Sequence, residues 1–166
     1  MRRPKQLEQK QNAGAAEAEL RAPIINNALG SHLSIKDLYH QTVRKSAEEY
    51  AGKENVIIEG LENCEVHLPF LMKSLYVKNV RDCKLFVGAV SGACFIDGAV
   101  NCEVHLCAHQ IRIHNSEETK FFLVAKSSPI IEHCKRMLFG RYKCFYNGHE
   151  EHLREGALLG VKNCWD

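Results

Sequence analysis

The sequence predicts an all-β protein, a parallel β-helix of about four to five coils preceded by one amphipathic α-helix and a polar N-terminal tail. The first observation is a repeat, because NCEVHL occurs at 63–68 and again at 101–106, with the related DCKLFV at 82–87. The second is the spacing, since each copy begins 19 residues after the previous one. The third is the alternation of apolar and polar residues in short segments between glycines, which is typical of β-strands.

A unit of this length matches one coil of a parallel β-helix and is too short for a propeller blade. In a β-helix the coils stack, and each inward-pointing residue forms a ladder with its copies in the coils above and below. We therefore expect Cys64, Cys83 and Cys102 to form one buried ladder of free thiols. Softer copies, ETKFFL at 118–123 and HCKRML at 133–138, extend the pattern.

The chain is predicted to have three parts. Residues 1–33 are polar and form an N-terminal arm, residues 34–52 form a capping helix, and residues 53–166 form the β-helix domain. Ser34 and Asp37 have the spacing of a capping box, although Asp stands in place of the usual Glu or Gln. Apolar residues then follow at roughly helical spacing: Ile35, Leu38, Val43, Ala47 and Tyr50. We expect this helix to cover one end or one flank of the β-helix, where bare strand edges would otherwise be exposed.

The composition excludes several classes of function. Lys and Arg number 22 against 20 Asp and Glu, which leaves a net charge of +2 and does not suggest a general nucleic-acid or membrane binder. The start MRRPKQLEQKQ lacks the apolar stretch of an export signal, no apolar run is long enough for a membrane span, and no membrane anchor is evident. The sequence therefore predicts a soluble cytoplasmic protein with reduced cysteines and a protein partner, with the cytoskeleton and the cilium base as alternative locations.

Geometry argues against a shared metal site at the repeated histidines and against a glycosidase carboxylate pair. His67 and His105 are copies two coils apart, roughly 10 Å at the spacing of strands, and cannot share a metal ion. Glu117 and Glu118 are adjacent, so on one strand they would point to opposite faces and could not act as a glycosidase carboxylate pair. We therefore predict no metal site and no cofactor of the protein's own.

The stretch CAHQIRIHNSEE carries the strongest candidate functional residue. As a strand it places two isoleucines on one side and Gln110, Arg112 and His114 on the other. An arginine held on the stiff outer face of a stacked sheet suits insertion into an anionic site of a partner, because the guanidinium group offers a planar fork to phosphate oxygens.

The sequence from VSGACFIDG to SSPIIEHC resembles the cofactor C-like domain shared by tubulin-binding cofactor C and the retinitis pigmentosa 2 protein, and is closer to cofactor C. The similarity covers about residues 54–142. Three motifs match in order: Gly88-x-Val90-x-Gly92, Gln110-x-Arg112 and Pro129-Ile-Ile-Glu132. The resemblance implies a right-handed β-helix.

The resemblance also implies GTPase activation. The arginine of the Gln-x-Arg motif acts in that family as an arginine finger supplied in trans, which here is Arg112. Gln110 and Glu132 match residues that contact the partner, and His114, on the same strand as Gln110, is also predicted to bind the partner. The implied partner is a GTP-binding protein that carries its own GTP and Mg²⁺, either tubulin in a complex with other tubulin cofactors or a small GTPase of the ADP-ribosylation-factor-like group. The protein would have no complete active site of its own.

An alternative from another class stays open. The domain could be a catalytically silent interaction or scaffold module in a cytoskeletal complex, as the related actin-binding domain of cyclase-associated proteins suggests. Two departures from the family pattern bear on the partner and on the length. His109 stands where the family has a second glutamine, and the sequence stops at LLGVKNCWD where the family continues, so a truncated C-terminus is an open alternative.

Overall fold

The computed structural model describes residues 30–162 and consists of parallel strands with two short helices. Most of the predicted N-terminal arm, residues 1–29, lies outside the described residues, as do the last four residues. The elements are β1 (His32–Lys36), β2 (Thr42–Arg44), α1 (Ala47–Tyr50), β3 (Asn55–Glu62), β4 (Glu65–Leu68), β5 (Ser74–Arg81), β6 (Lys84–Val100), β7 (Glu103–His114), β8 (Lys120–Ala125), β9 (Ile130–Glu132), β10 (Leu138–Arg141) and α2 (His149–Glu155). Neither described helix is long and apolar enough to cross a membrane.

The strands stack into a parallel β-helix of about six coils, which confirms the predicted fold class. The first face stacks β1, β3, β5, the later part of β6, the later part of β7 and β9. The second face stacks β2, β4, the beginnings of β6 and β7, then β8 and β10. A shorter third face is formed by the middle of β6, the middle of β7 and the end of β8. Inward side chains from all three faces form one core of mainly aliphatic residues.

The cysteine ladder lies where the repeat predicts it. Cys64, Cys83 and Cys102 are buried in the core and occupy equivalent positions, because the residues that follow them pair in register on the second face. Each thiol lies within hydrogen-bonding distance of the carbonyl oxygen two residues earlier, at 3.3, 3.1 and 3.2 Å respectively. Thr119 continues the ladder and donates its hydroxyl in the same way to Glu117 at 3.0 Å. In these four coils the column therefore holds small side chains that carry a hydrogen-bond donor.

Each coil turns from the first face to the second through two residues with positive φ, three positions apart. The pairs are Asp37 and His40, Gly60 and Asn63, Asn79 and Asp82, Gly98 and Asn101, Asn115 and Glu118, and His133 and Arg136. Gly, Asn and Asp enter this left-handed region at the lowest cost, which explains why they dominate the set and why the repeat carries Asn or Asp just before its cysteine.

The prediction of a capping helix over 34–52 is wrong. Residues of this segment form β1 and β2, which pair in parallel with β3 and β4 as a first coil, so the β-helix begins near residue 32 instead of 53. Asp37, the predicted capping residue, is a corner residue with φ of 53°. A genuine capping box does occur nearby, between Ser46 and Glu49, but it begins the single turn of α1. The extra coil also explains why the count is about six and not four to five.

The predicted copy HCKRML at 133–138 is out of phase. Leu138 pairs with Lys120, so Met137 and not Cys134 is the equivalent of Thr119. Cys134 instead lies at the other end of the corner, where its thiol approaches the carbonyl oxygen of Glu132 at 3.3 Å. A cysteine can therefore occupy either flank of a corner, as Cys102 and Cys134 do, so a cysteine alone does not fix the phase of a coil.

The third face is widened by two bulges and covered by the C-terminal segment. The register of β6 against β7 shifts once around Gly88 and again around Gly92, so the residue offset between the coils falls from 19 to 17. A side chain at Gly88 would collide with the carbonyl oxygens of Leu68 and Phe70. Helix α2 and the turn that follows it pack on this face, where Leu158 is buried among Ala89, Cys107 and neighbouring apolar residues.

Candidate functional site

Strand β7 places Arg112 at an exposed position in the stacked first face. The flanking Ile111 and Ile113 are fully buried in the core, whereas Arg112 between them points outward. Phe95 of the preceding coil and Ile130 of the following coil are its direct neighbours in register. The backbone of Arg112 is therefore held by strands on both sides, so only the side chain can move.

The guanidinium group of Arg112 is available to a partner. Within residues 30–162 it forms neither an ion pair nor a hydrogen bond. This contrasts with Arg136 and Arg154, whose guanidinium groups bind carboxylates of the protein itself. An exposed arginine on a rigid strand with no partner of its own can bind an external anion without first breaking an internal contact.

The other predicted site residues share this surface. Gln110 is half-buried, opposite Ala93, and His114 lies two residues beyond Arg112 on the same outer face. Glu132 on β9 is the register partner of His114, and its Oε2 lies 3.0 Å from His114 Nε2, close enough for an ion pair but without the geometry of a hydrogen bond. Three of the residues thus line one strand, and the fourth lies on the next.

The sequence analysis missed the immediate neighbours of Arg112. A constant 19-residue period would have placed Ala93 beside it, but the two bulges shorten the offset and bring Phe95 there instead. The ring of Phe95 also meets the ring of His114 edge-on, with centroids 5.0 Å apart. Just beyond, Asn115 donates a hydrogen bond of 2.8 Å to Asp97 and fixes the corner at the end of the strand. No sequence signal marks these bulges except the glycines at 88 and 92.

His109, which replaces a glutamine of the family pattern, belongs to a different surface. The chain bends between His109 and Gln110, so the histidine lies towards the third face, where its Nε2 is 2.6 Å from the carbonyl oxygen of Gly156. His109 therefore ties β7 to the C-terminal segment and does not lie beside Arg112.

The prediction that Glu117 and Glu118 point to opposite faces is wrong. Both carboxylates bind the guanidinium group of Arg136 in the next coil, one of them at 2.9 Å. Adjacent residues can do this because Glu118 has a positive φ of 50° at the corner, so the alternation of a regular strand does not apply. The pair is engaged in joining two coils.

The two repeated histidines take part in an outward stack on the second face. Phe86 lies between His67 and His105, with ring centroids at 4.8 and 5.0 Å, and Phe122 follows His105 at 4.6 Å. The rings are nearly parallel, and Glu65 lies 2.6 Å from the Nε2 of His67. An aromatic ring thus separates the two histidines, which do not converge on a common ion.

Three of the buried cysteines have raised pKa values. Burial raises the pKa of Cys107 to about 12 and also raises the pKa of Cys94. The pKa of Cys102 is raised as well, because of its hydrogen bond with Cys83 and because of burial. These three thiols therefore stay protonated at neutral pH, as expected for core residues. The same hydrogen bond lowers the pKa of Cys83, the partner of Cys102 in the ladder.

Comparison with known proteins agrees with the fold and the motifs. Residues 53–166 match the family described as "Tubulin binding cofactor C". The tubulin-folding cofactor C of Arabidopsis thaliana is 30% identical over 131 residues, which cover 79% of this chain and 38% of that protein. The tubulin-specific chaperone C of Mus musculus is 30% identical over 130 residues, covering 78% of this chain and 38% of the relative.

The similarity extends towards the N-terminus in one relative. The tubulin-specific chaperone C of Bos taurus is 28% identical over 160 residues, 93% of this chain and 46% of the relative. The chain thus matches less than half the length of each of these three proteins. Since the family match covers well over half of the chain, and its motifs lie on the β-helix described above, the chain belongs to the tubulin binding cofactor C family.

Proposed function

We propose that this protein is a GTPase-activating module that supplies Arg112 as an arginine finger to a GTP-binding partner, with tubulin as the first candidate. The observation that carries the proposal is the exposed guanidinium group of Arg112, which has no ion-pair partner among residues 30–162, on a central strand of a stacked sheet. The names of the relatives, which describe cofactors and chaperones of tubulin, favour tubulin over other GTPases.

The chemistry requires the rigidity that β7 provides. During GTP hydrolysis negative charge spreads over the transferred phosphoryl group and its leaving oxygen, and a guanidinium group placed there in advance stabilises that charge. An arginine supplied in trans accelerates such reactions by roughly 10³ to 10⁵. The partner provides GTP, Mg²⁺ and the attacking water, so this chain needs no cofactor of its own for the step.

The surrounding residues have distinct roles in the proposal. Gln110 and Glu132 make contacts that position the partner, and His114 holds Glu132 in place between the two strands. Phe95 and Ile130 are the register neighbours of Arg112 in the adjacent coils, and side chains at these positions limit the rotamers of its stem. The finger thus enters the partner's nucleotide site as part of a preformed surface.

The test is GTP turnover by tubulin, together with other tubulin cofactors, at saturating amounts of each variant. Arg112→Ala should abolish the stimulation, and Arg112→Lys should lose most of it, because an ammonium group keeps the charge but lacks the planar fork. Arg81→Ala is the matched control, since Arg81 is an exposed arginine of β5 without an ion pair in the described residues, and it should stimulate normally.

Substitutions at the site should affect partner binding and GTPase activation differently. Arg112→Ala should retain much of the affinity, because the finger acts mainly in the transition state, whereas Glu132→Ala should weaken association more than the chemical step. Wild-type protein that binds tubulin without changing its GTP turnover would support the silent scaffold instead. Stimulation of an ADP-ribosylation-factor-like GTPase but not of tubulin would keep the mechanism and change the partner.

A further inference from the structure

A second surface, away from Arg112, has the form of a binding groove. It lies between the second face and the segment that follows β10, has a volume of about 550 Å³, and is lined among others by His67, Leu68, Pro69 and Phe86 on one side. Phe145 and Tyr146 line the other side. This size falls within the range of ordinary ligand and peptide pockets.

The groove has an apolar floor and an exposed aromatic wall. Phe86 is fixed between the rings of His67 and His105, so the floor is rigid. Phe145 is 79% exposed, the largest exposed fraction among the large apolar residues of the described chain, and its ring centroid lies 5.6 Å from that of His149. An aromatic side chain left this open, beside a stacked aromatic floor, provides a site for another ring or a large aliphatic group.

Both of the charged side chains at the edges of the groove are positive. Arg44 and Lys143 lie at its edges, both exposed, and neither forms an ion pair with a residue of the described part of the chain. None of the described residues that line the groove carries a carboxylate. Glu65 on the second face hydrogen-bonds to His67, and this bond, together with the positive charges of Lys84 and Arg44, lowers its pKa.

We propose that this groove binds an acidic segment of a partner protein that carries one aromatic or large aliphatic anchor residue. The anchor inserts between Phe86 and Phe145, while the carboxylates of the segment pair with Arg44 and Lys143. Positive charges on both edges of an apolar slot favour an extended acidic peptide over a basic or a purely apolar one. The site lies on a different face from Arg112, so it would retain a partner independently of the chemical step.

The experiment measures fluorescence anisotropy of a labelled short peptide of glutamates with one central phenylalanine. Two comparison peptides replace the phenylalanine by alanine or the glutamates by lysines. The protein variants are the double charge reversal Arg44→Glu with Lys143→Glu, and Phe145→Ser. Lys126→Glu serves as the matched control, because Lys126 is exposed but does not line the groove. All of these positions are on the surface, and thermal melting verifies that each variant is folded.

The acidic aromatic peptide should bind, and added salt should weaken the binding. The double charge reversal and Phe145→Ser should each lower the affinity roughly tenfold or more, while Lys126→Glu and Arg112→Ala leave it unchanged. Absence of binding at millimolar peptide would overturn the proposal, as would equal affinity for the alanine or the lysine peptide. Equal loss of affinity in Lys126→Glu would also overturn it, since it would show a general effect of charge.

Discussion

At the scale of single residues, the buried position that follows each turn from the first face to the second shows why this fold repeats a cysteine. The position needs a side chain small enough for the interior, and it also favours a second donor to the carbonyl oxygen two residues earlier, which already accepts a backbone hydrogen bond from the preceding coil. Cys64, Cys83 and Cys102 meet both needs with a thiol, and Thr119 meets them with a hydroxyl group. The repeat is therefore set by hydrogen bonding at a corner as much as by apolar packing.

Cys83→Asp should unfold the domain or destabilise it by about 3–5 kcal/mol, because it places an uncompensated charge in the core. Cys83→Thr is the control and should cost no more than about 1 kcal/mol, since a hydroxyl group can make the same contact as that of Thr119. Chemical denaturation of the purified variants measures both values. Similar stability for the two variants would show that the position is not enclosed as described.

Substitutions of Asn63 test whether the backbone at the corners is strained for residues other than glycine, asparagine and aspartate. It has a φ of 52°, so Asn63→Ile should destabilise the protein by about 1–2 kcal/mol through backbone strain alone. Asn63→Gly should remain within about 1 kcal/mol of the wild type, because glycine adopts positive φ freely but gains entropy in the unfolded chain. The comparison uses thermal and chemical unfolding, and equal effects of isoleucine and glycine would contradict a strained corner.

At the scale of elements, repetition decided what the sequence could predict. The strict 19-residue copies at 63–68, 82–87 and 101–106 located the second face, and the alternation around Arg112 correctly placed isoleucines inward and the arginine outward. The first coil was missed because it is longer, with an offset of 23 residues to the next coil, and because its corner residue Asp37 imitates a helix cap.

The surroundings of the site were harder to predict than the site residues themselves. The neighbours of Arg112 depend on two bulges that remove two residues from one coil, and a bulge leaves no periodic signal in the sequence. Glycine at 88 and 92 indicates only that something approaches the backbone closely. The contact of His109 with the C-terminal segment joins residues 47 positions apart, which lies outside the period of the coils.

The contribution of His149, at the start of helix α2, to the stability of the protein is predicted to depend on pH. His149 is buried against the rings of Tyr142, Phe145 and Tyr146, and this burial, together with the charge of His152, lowers its pKa below the ordinary value of 6.5. The unfolded state therefore binds a proton more readily than the folded state, so the contribution of this histidine to stability falls as the pH drops below about 6.5.

His149→Phe keeps the ring and removes the titration. We expect the variant to lose less stability than the wild type between about pH 7.5 and pH 5.5. The measurement is the denaturant midpoint of both proteins at the two pH values, and the other histidines cancel in the comparison. An equal loss in both proteins would show that His149 does not titrate differently on folding.

At the scale of the whole molecule, the first coil closes one end of the β-helix. Its inward residues cover Val56, Ile58 and Leu61 of the second coil, and Tyr50 of α1 stacks on Phe70 with ring centroids 5.1 Å apart. A complete coil with one helical turn thus covers this end, where the sequence predicted a helix.

Removal of residues 1–51 should lower the melting temperature by about 10 °C or more, because it exposes the aliphatic ladder of the second coil. Removal of residues 1–22, which the composition predicts to contribute little, is the control and should leave the melting temperature nearly unchanged. Differential scanning calorimetry of the two truncated proteins and the full chain provides the comparison. Equal melting temperatures for the two truncations would mean that the first coil does not support the second.

The stacking of short coils also has a consequence for how the chain reaches this structure. Every ladder partner lies only 17 to 23 residues away, so each coil can fold onto its predecessor as soon as it leaves the ribosome. Longer-range contacts also occur. Tyr142 donates a hydrogen bond to Val87, Ala89 donates one to Tyr146, and His109 contacts Gly156, over 55, 57 and 47 residues respectively. These contacts pass over the bulged third face and can form only after the last coil is in place. The C-terminal segment therefore joins the β-helix last. The groove beside Phe145 forms only when synthesis of the chain is nearly complete.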